Sequence, residues 1–105
     1  MKKKKIPTYH EDLLKWLKDP RFAEGYLNAA LEDDDKNVFL LALRDVVEAQ
    51  GSMSKFARRT HISREHIYRM LSKKGNPEFA TLQLLLSAFN LQFSVSPKSQ
   101  SKKAA

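Results

Sequence analysis

The chain has 105 residues, 42% of them hydrophobic and 30% charged, which suits one globular domain with a single modest core. It has no cysteine, which excludes disulfide bonds, thiolate metal sites and thiol nucleophiles. No apolar run approaches the ~20 residues that span a bilayer. We therefore expect a cytoplasmic protein with no membrane partner.

The net charge of +7 is divided unevenly along the chain. Residues 1–50 carry nine Lys/Arg and ten Asp/Glu, whereas residues 51–105 carry ten Lys/Arg and two Asp/Glu. A surface that replaces counterions along a phosphate backbone needs such a local positive excess. The second half is therefore the half expected to bind nucleic acid, and a merely solubilising surface charge is the alternative.

The amino-terminal segment contains two helix start signals. Residues 1–7 form a basic leader that we expect to be disordered, and no apolar segment of a secretory signal follows it. Thr8 with Glu11 fits a capping box for a first helix. Asp19-Pro20, a cap followed by proline at the first helical position, starts a second helix with one apolar stripe.

A third helix is predicted from about Lys36 to Gln50. It is apolar around most of its circumference, so we expect it to be the central and most buried helix, closed by Gly51. The four acids at 32–35 cannot all face one ion on a helix. Acids before a helix are stabilised by its dipole, so we assign them to the helix start and predict no metal site.

Residues 52–72 have the pattern of two short helices around a tight turn. Ser52 caps the first helix and Ser63 caps the second. In the second helix, a period of 3.6 residues places Ile67 and Met70 inward and the arginines outward. A basic helix whose amino-terminal residues face outward is the geometry that enters a DNA major groove. The segment therefore predicts a DNA-binding helix-turn-helix.

The predicted base-reading side chains lie on the outward part of this second helix. They are Arg64, Glu65, Tyr68 and Arg69. A guanidinium group grips guanine O6 and N7 with two hydrogen bonds. Glu65 either accepts from cytosine N4 or pairs with a neighbouring arginine. Tyr68 either contacts DNA or packs its ring at the edge of the core.

The predicted phosphate-contacting side chains flank the two helices and set register without reading sequence. They are Ser52, Ser54, Lys55, Ser63, Lys73 and Lys74. Arg58 and Arg59, on the first helix of the motif, are further basic residues, and one of them is expected to be only a solvated charge.

The chain is predicted to end with a helix from about Phe79 to Phe89, a strand and a disordered tail at 97–105. Residues 91–96, LQFSVS, alternate with a period of two, which predicts a β-strand. A lone strand needs a partner for its backbone groups. We expect the same strand of a second copy, paired across a homodimer through Leu91, Phe93 and Val95. The alternative is a tail packed on its own core.

Five short motifs between residues 51 and 95 carry a family resemblance. They are Phe56-Ala57, Ile62-Ser63-Arg64, Ile67, Gly75-Asn76-Pro77 and Phe89-Asn90-Leu91. With this spacing the segment resembles the Cro/cI-type (XRE) helix-turn-helix family. His61 stands where the family's turn often has glycine, and Leu71 where it often has glutamate.

Two further motifs extend the resemblance to about residues 9–95. With Tyr26-Leu27-Asn28-Ala29-Ala30-Leu31-Glu32 and Phe39-Leu40-Leu41-Ala42-Leu43, the chain resembles the probable addiction-module antidote proteins, which are HigA-like antitoxins. The resemblance implies an all-α fold: a five-helix lambda-repressor-like domain over residues 8–96, with the short C-terminal strand. It also implies a double-stranded DNA operator and a RelE/HigB-type ribonuclease toxin as partners.

A toxin surface is most plausible on the first two helices, where charge is mixed and aromatic side chains are available. The aromatics are Tyr9, Trp16, Phe22 and Tyr26, and a core position is the favoured alternative for Trp16 and Phe22.

Three other functions compete with an antitoxin. A stand-alone phage-type repressor would share the DNA-binding half, and an adaptor would use only protein contacts. An enzyme is disfavoured because the histidines, His10, His61 and His66, have no nucleophile motif, carboxylate-rich cluster or phosphate loop around them. We therefore predict a protein that is no enzyme and needs no cofactor.

Overall fold

The computed structural model describes residues 9–51 and 53–98, apart from the side chains of Met53 and Lys55. These residues contain six helices and no strand: α1 (Tyr9–Trp16), α2 (Pro20–Leu31), α3 (Asn37–Ala49), α4 (Met53–Thr60), α5 (Arg64–Met70) and α6 (Phe79–Ser87). The all-α prediction is confirmed. The count of five helices that the resemblance implies is one too low; the structure has the six helices that the start signals and periodicity predict one by one. The leader at 1–7, the predicted cap Thr8 and residues 99–105 lie outside the described residues.

The connection between α1 and α2 is short and hydrogen-bonded. The backbone N–H of Asp19 donates to the carbonyl of Trp16 at 3.0 Å, and the Asp19 carboxylate accepts from the N–H of Arg21 at 3.0 Å. Pro20 occupies the first turn, where a missing N–H costs nothing. The predicted start of α2 is confirmed.

Helix α3 forms the centre of the fold, as predicted. Seven of its residues are buried: Phe39, Leu40, Ala42, Leu43, Val46, Val47 and Ala49. Helices α1 and α2 both pack against it. Gly51 follows α3 with φ 98°, which confirms the closing glycine.

The acidic run at 32–35 leads into α3 through its own hydrogen bonds. The Asp33 carboxylate accepts from the N–H of Asp35 at 2.8 Å, and the Asp35 carboxylate accepts from the N–H of Asn37 at 3.0 Å. Asp35 therefore satisfies a backbone donor at the start of α3, in line with the predicted role of this run.

The carboxyl end of α6 turns the chain sharply. Asn90 has φ 63°, and the N–H of Leu91 donates to the carbonyl of Leu86 at 2.9 Å. This is the pattern of a Schellman turn with asparagine in the position that usually holds glycine. The turn therefore brings Leu91 and Phe93 back onto the core.

The predicted strand at 91–96 is not formed in this chain; residues 91–98 have no regular secondary structure. Leu91 and Phe93 are half-buried and pack on the core, with the Phe93 ring 6.0 Å from that of Phe39. Val95 is 98% exposed. The period of two thus reflects side chains that alternate between the chain's own core and solvent, and the described residues contain no strand with which this backbone could pair.

Within the described residues, no helix combines the length and the apolar character needed to cross a membrane.

Candidate nucleic-acid interface

Helices α4 and α5 lie at the predicted positions and are separated by three residues. The Thr60 hydroxyl donates to the carbonyl of Phe56 at 3.0 Å and so caps the last turn of α4 from within. His61 then adopts φ 62°, the left-handed conformation that glycine most readily supplies. His61 thus takes the conformation of the glycine that the resemblance places there.

Ser63 sets the start of α5. Its backbone is extended, with φ −64° and ψ 151°, and its Oγ accepts from the N–H of His66 at 3.1 Å. This is the geometry of a helix N-cap, and it confirms the cap predicted at Ser63. The cap therefore fixes where α5 begins and the direction of its first turn.

The two faces of α5 separate as predicted. Ile67 is fully buried and Met70 is 8% exposed, so both pack into the core. Arg64, Glu65 and Arg69 are exposed. The buried residues therefore anchor α5 on the domain, and the exposed charged residues are accessible to a partner.

The Arg69 side chain contacts His66 on the same face of α5. Its Nη2 atom lies 3.3 Å from Nδ1 of His66, three residues earlier on the same face. The Ser72 hydroxyl donates to the carbonyl of Arg69 at 2.8 Å. The guanidinium and the imidazole thus form one exposed unit, which the sequence pattern did not predict.

Tyr68 differs from the other predicted base readers. It is half-buried, and the guanidinium carbon of Arg44 lies 5.0 Å from the centre of its ring. A guanidinium over a tyrosine face is a favourable cation–π contact. The ring therefore packs at the edge of the core, beneath an arginine from α3, as one of its two expected roles requires.

The predicted phosphate-contacting residues lie on both sides of α5. Ser54, Lys73 and Lys74 are exposed, whereas Ser63 uses its hydroxyl as the cap. Ser52 and the side chain of Lys55 lie outside the described part of the chain. Residues 53–74 contain seven Lys/Arg and one Glu, so the segment is strongly basic as a whole.

The turn that carries the two lysines packs tightly against α5. A Cβ atom at position 75 would overlap the Met70 carbonyl, its carbon being only 2.6 Å away, so only glycine fits there. Asn37 Nδ2 donates to the carbonyl of Gly75 at 3.2 Å. Asn37 on α3 thus contacts Gly75, 38 positions further along, and Arg44 on α3 contacts Tyr68, 24 positions further along. No local sequence pattern predicted either contact.

The family model described as "Probable addiction module antidote protein" matches residues 8–97. The chain belongs to this family. An uncharacterized protein of Haemophilus influenzae is 47% identical to this chain over 70 residues, which are 67% of this chain and 71% of the relative. No solved structure matches the chain. The family confirms the antidote part of the resemblance and implies a cognate toxin in general.

Proposed function

We propose that this protein is a HigA-like, sequence-specific DNA-binding antitoxin of a type II toxin–antitoxin module. It neutralises a RelE/HigB-type toxin and represses its own operon in the cytoplasm, by binding rather than by catalysis. The observation that carries the DNA-binding part is α5, which buries Ile67 and Met70 and exposes Arg64, Glu65 and Arg69. A Cro/cI-type helix-turn-helix uses its second helix in this way.

In the proposed complex, α5 lies in the major groove. Arg64 and Arg69 read guanine through O6 and N7, and Glu65 accepts from cytosine N4 or orients an arginine. Arg44 covers one face of the Tyr68 ring, so we assign the DNA contact of Tyr68 to its hydroxyl. Base reading is thus carried mainly by the two exposed arginines.

Backbone phosphates are held by the residues around α5. Lys73 and Lys74 are exposed in the turn that Gly75 holds against the end of α5, and Ser54 is exposed on α4. Ser52, Lys55 and Ser63 complete the proposed set. These contacts fix the register of α5 and add affinity that falls as salt rises.

The proposed repressor is a homodimer joined through residues 91–96. Antiparallel pairing of two copies would cover Val95, which is 98% exposed in the single chain, while Leu91 and Phe93 stay on their own core. Two α5 helices would then enter major grooves about 34 Å apart on one face of a near-palindromic operator.

The antidote family supports a toxin partner and so favours the antitoxin over a stand-alone repressor. The RelE/HigB type of toxin and the repression of the operon rest on the resemblance.

Fluorescence anisotropy of the purified protein with its own upstream DNA and with a scrambled duplex, titrated over salt, tests the DNA-binding part. We expect tight binding to the upstream DNA alone, with a steep salt dependence. Equal weak binding to both duplexes would contradict sequence-specific repression.

Two exposed basic residues provide matched variants for the same measurement. Arg64→Ala should cost about 1–3 kcal/mol on the operator and reduce the difference between operator and scrambled DNA. Lys73→Ala should weaken both duplexes alike, since a phosphate contact carries no sequence information. Equal losses on both duplexes for Arg64→Ala would remove Arg64 from the base-reading set.

A further inference from the structure

Four aromatic side chains form a continuous row across α1 and α2. The ring centres of Tyr9 and Trp16 are 6.2 Å apart, those of Trp16 and Phe22 5.7 Å, and those of Phe22 and Tyr26 6.4 Å. The first two pairs meet edge to face and the last pair is stacked, which are the favoured arrangements of aromatic rings. We call Tyr9, Trp16, Phe22 and Tyr26 the aromatic row.

The aromatic row lies largely at the surface. Tyr9 is 70% exposed, Trp16 48% and Phe22 40%. A core position for Trp16 and Phe22, which the sequence alone favoured, is therefore wrong. Single exposed apolar residues are common, but adjacent exposed aromatic rings mark surfaces that bind other molecules.

The row rests on rigid support. The hydroxyl of Tyr26 donates to Oδ2 of Asp45 on α3 at 2.7 Å, which ties one end of the row to the central helix. Trp16 and Phe22 stand on either side of the short connection that Asp19 caps. A surface that is already ordered loses little conformational entropy when a partner binds.

Carboxylates lie beside the row, among charges of both signs. Residues 9–26, which contain the row, have four Asp/Glu and three Lys/Arg. Asp12 lies on the same side of α1 as Tyr9 and Trp16, three and four residues from them. A shallow hollow beside Trp16 and Phe22 is lined also by Lys15 and Asp19. The row thus combines exposed aromatic faces with carboxylates.

This combination favours a basic partner. Guanidinium groups stack on tryptophan and phenylalanine faces, and neighbouring carboxylates bind the same groups through charged hydrogen bonds. A partner that presents arginine side chains therefore fits this face.

We propose that the aromatic row is the toxin-binding surface, on which arginine side chains of a basic face of the cognate toxin stack against Trp16 and Phe22. The inference rests on the proposed function, because it takes the toxin to be a ribonuclease. A ribonuclease must present a basic face to RNA phosphates, so an antidote that covers that face excludes the substrate. Operator and toxin then bind at separate surfaces of one chain.

The test uses the full chain and the protein encoded by the reading frame that adjoins its gene, with the dissociation constant measured by biolayer interferometry. The double variant Trp16→Ala/Phe22→Ala should bind this protein at least about tenfold more weakly, since aromatic anchors dominate interface energies. Its affinity for operator DNA should be unchanged. Phe79→Ala is the matched control, because Phe79 is an aromatic residue on α6 that is 59% exposed and lies outside the row.

A charge variant tests the same surface without removing a ring. Asp12→Lys, at a half-exposed position, should weaken toxin binding about threefold or more at low salt, mainly through slower association. It remains informative if the double variant fails to fold, which loss of operator binding would reveal.

The outcomes separate this inference from the proposed function. If the wild-type chain does not bind the adjoining protein, the toxin role fails and the docking surface fails with it. If the wild-type chain binds and both row variants bind equally well, the antitoxin function stands and the aromatic row is overturned as its surface. Selective loss in the row variants, with Phe79→Ala unaffected, supports the inference.

Discussion

The segment that carries α1 and α2 and the segment that carries α4 and α5 present opposite chemistry on one small core. The first has eight Asp/Glu and three Lys/Arg at residues 9–35 and exposes aromatic rings. The second has seven Lys/Arg and one Glu at residues 53–74, and its helix α5 exposes Arg64 and Arg69. We propose a basic protein face as the partner of the first segment and a phosphate backbone as the partner of the second, so the net charge of +7 describes neither segment.

Helix α3 connects the two regions. It packs against α1 and α2, and its side chains also reach the basic region: Asn37 donates to the carbonyl of Gly75, and Arg44 lies over the ring of Tyr68. The buried face of α3 belongs to the same hydrophobic cluster as Ile67 and Leu85. We therefore expect the two segments to bind different partners but to unfold together, in one cooperative transition.

The largest expected loss of folding stability comes from truncating a buried side chain in the hydrophobic core that the two segments share. Leu43 on α3 is fully buried, so Leu43→Ala should lower the free energy of unfolding by about 2–5 kcal/mol through lost burial and a cavity. Trp16 is the chain's single tryptophan and lies on α1. The fluorescence of Trp16 and the far-ultraviolet circular dichroism of the helices should therefore report one common denaturation midpoint in wild type. In Leu43→Ala the two probes should again agree, at a lower midpoint.

Leu41→Ala is the control for that experiment. Leu41 lies on the same helix but is 37% exposed, so its truncation should cost clearly less than that of Leu43. Two separate midpoints, one from Trp16 and one from circular dichroism, would show that the regions unfold independently and would refute the single folding unit.

A smaller loss of folding stability is expected from Gly75→Ala, in the turn that follows α5. The added Cβ would overlap the Met70 carbonyl, so the turn must move away from α5, at a cost of about 1–3 kcal/mol of folding stability. The same movement shifts Lys73 and Lys74, and operator affinity should fall while binding through the aromatic row stays unchanged. Urea titration and fluorescence anisotropy measure the two effects.

Gly25→Ala is the matched substitution in the acidic region. A Cβ atom at position 25 meets nothing within 4 Å, and the residue is an exposed member of α2. Alanine is the better helix former, so this variant should be as stable as wild type or more stable, by up to about 1 kcal/mol. A loss of stability equal to that of Gly75→Ala would contradict the specific overlap with Met70.

The sequence was sufficient for features that depend on neighbours in the chain. The caps at Asp19 and Ser63 and the glycine after α3 are local backbone chemistry, and the structure has all three. The inward face of α5 follows from helical periodicity alone, because Ile67 and Met70 lie three residues apart. The antidote family likewise agrees with motifs read directly from the residues.

The features that the sequence did not predict depend on contacts between distant residues. A period of two at 91–96 is the same for a strand and for a tail lying on its own core, so only the packing of Phe93 on Phe39 decides between them in this chain. Trp16 and Phe22 have the apolar character of core residues, yet the α1–α2 connection places both rings outside. The Arg44–Tyr68 contact likewise needs the folded arrangement of α3 and α5.

The smallest expected effect is a pH dependence that arises in the acidic region. Burial, followed by the hydrogen bond to Asp45, raises the pKa of Tyr26 well above its usual value of about 10. The unfolded chain therefore loses this proton first, so the stabilising contribution is complete below about pH 10 and is lost as pH rises beyond it. The free energy of unfolding, from urea titrations followed by Trp16 fluorescence between about pH 9 and about pH 11, should fall more steeply in wild type than in Tyr26→Phe. Parallel curves for wild type and Tyr26→Phe would exclude the Tyr26–Asp45 hydrogen bond as the link between the aromatic row and α3.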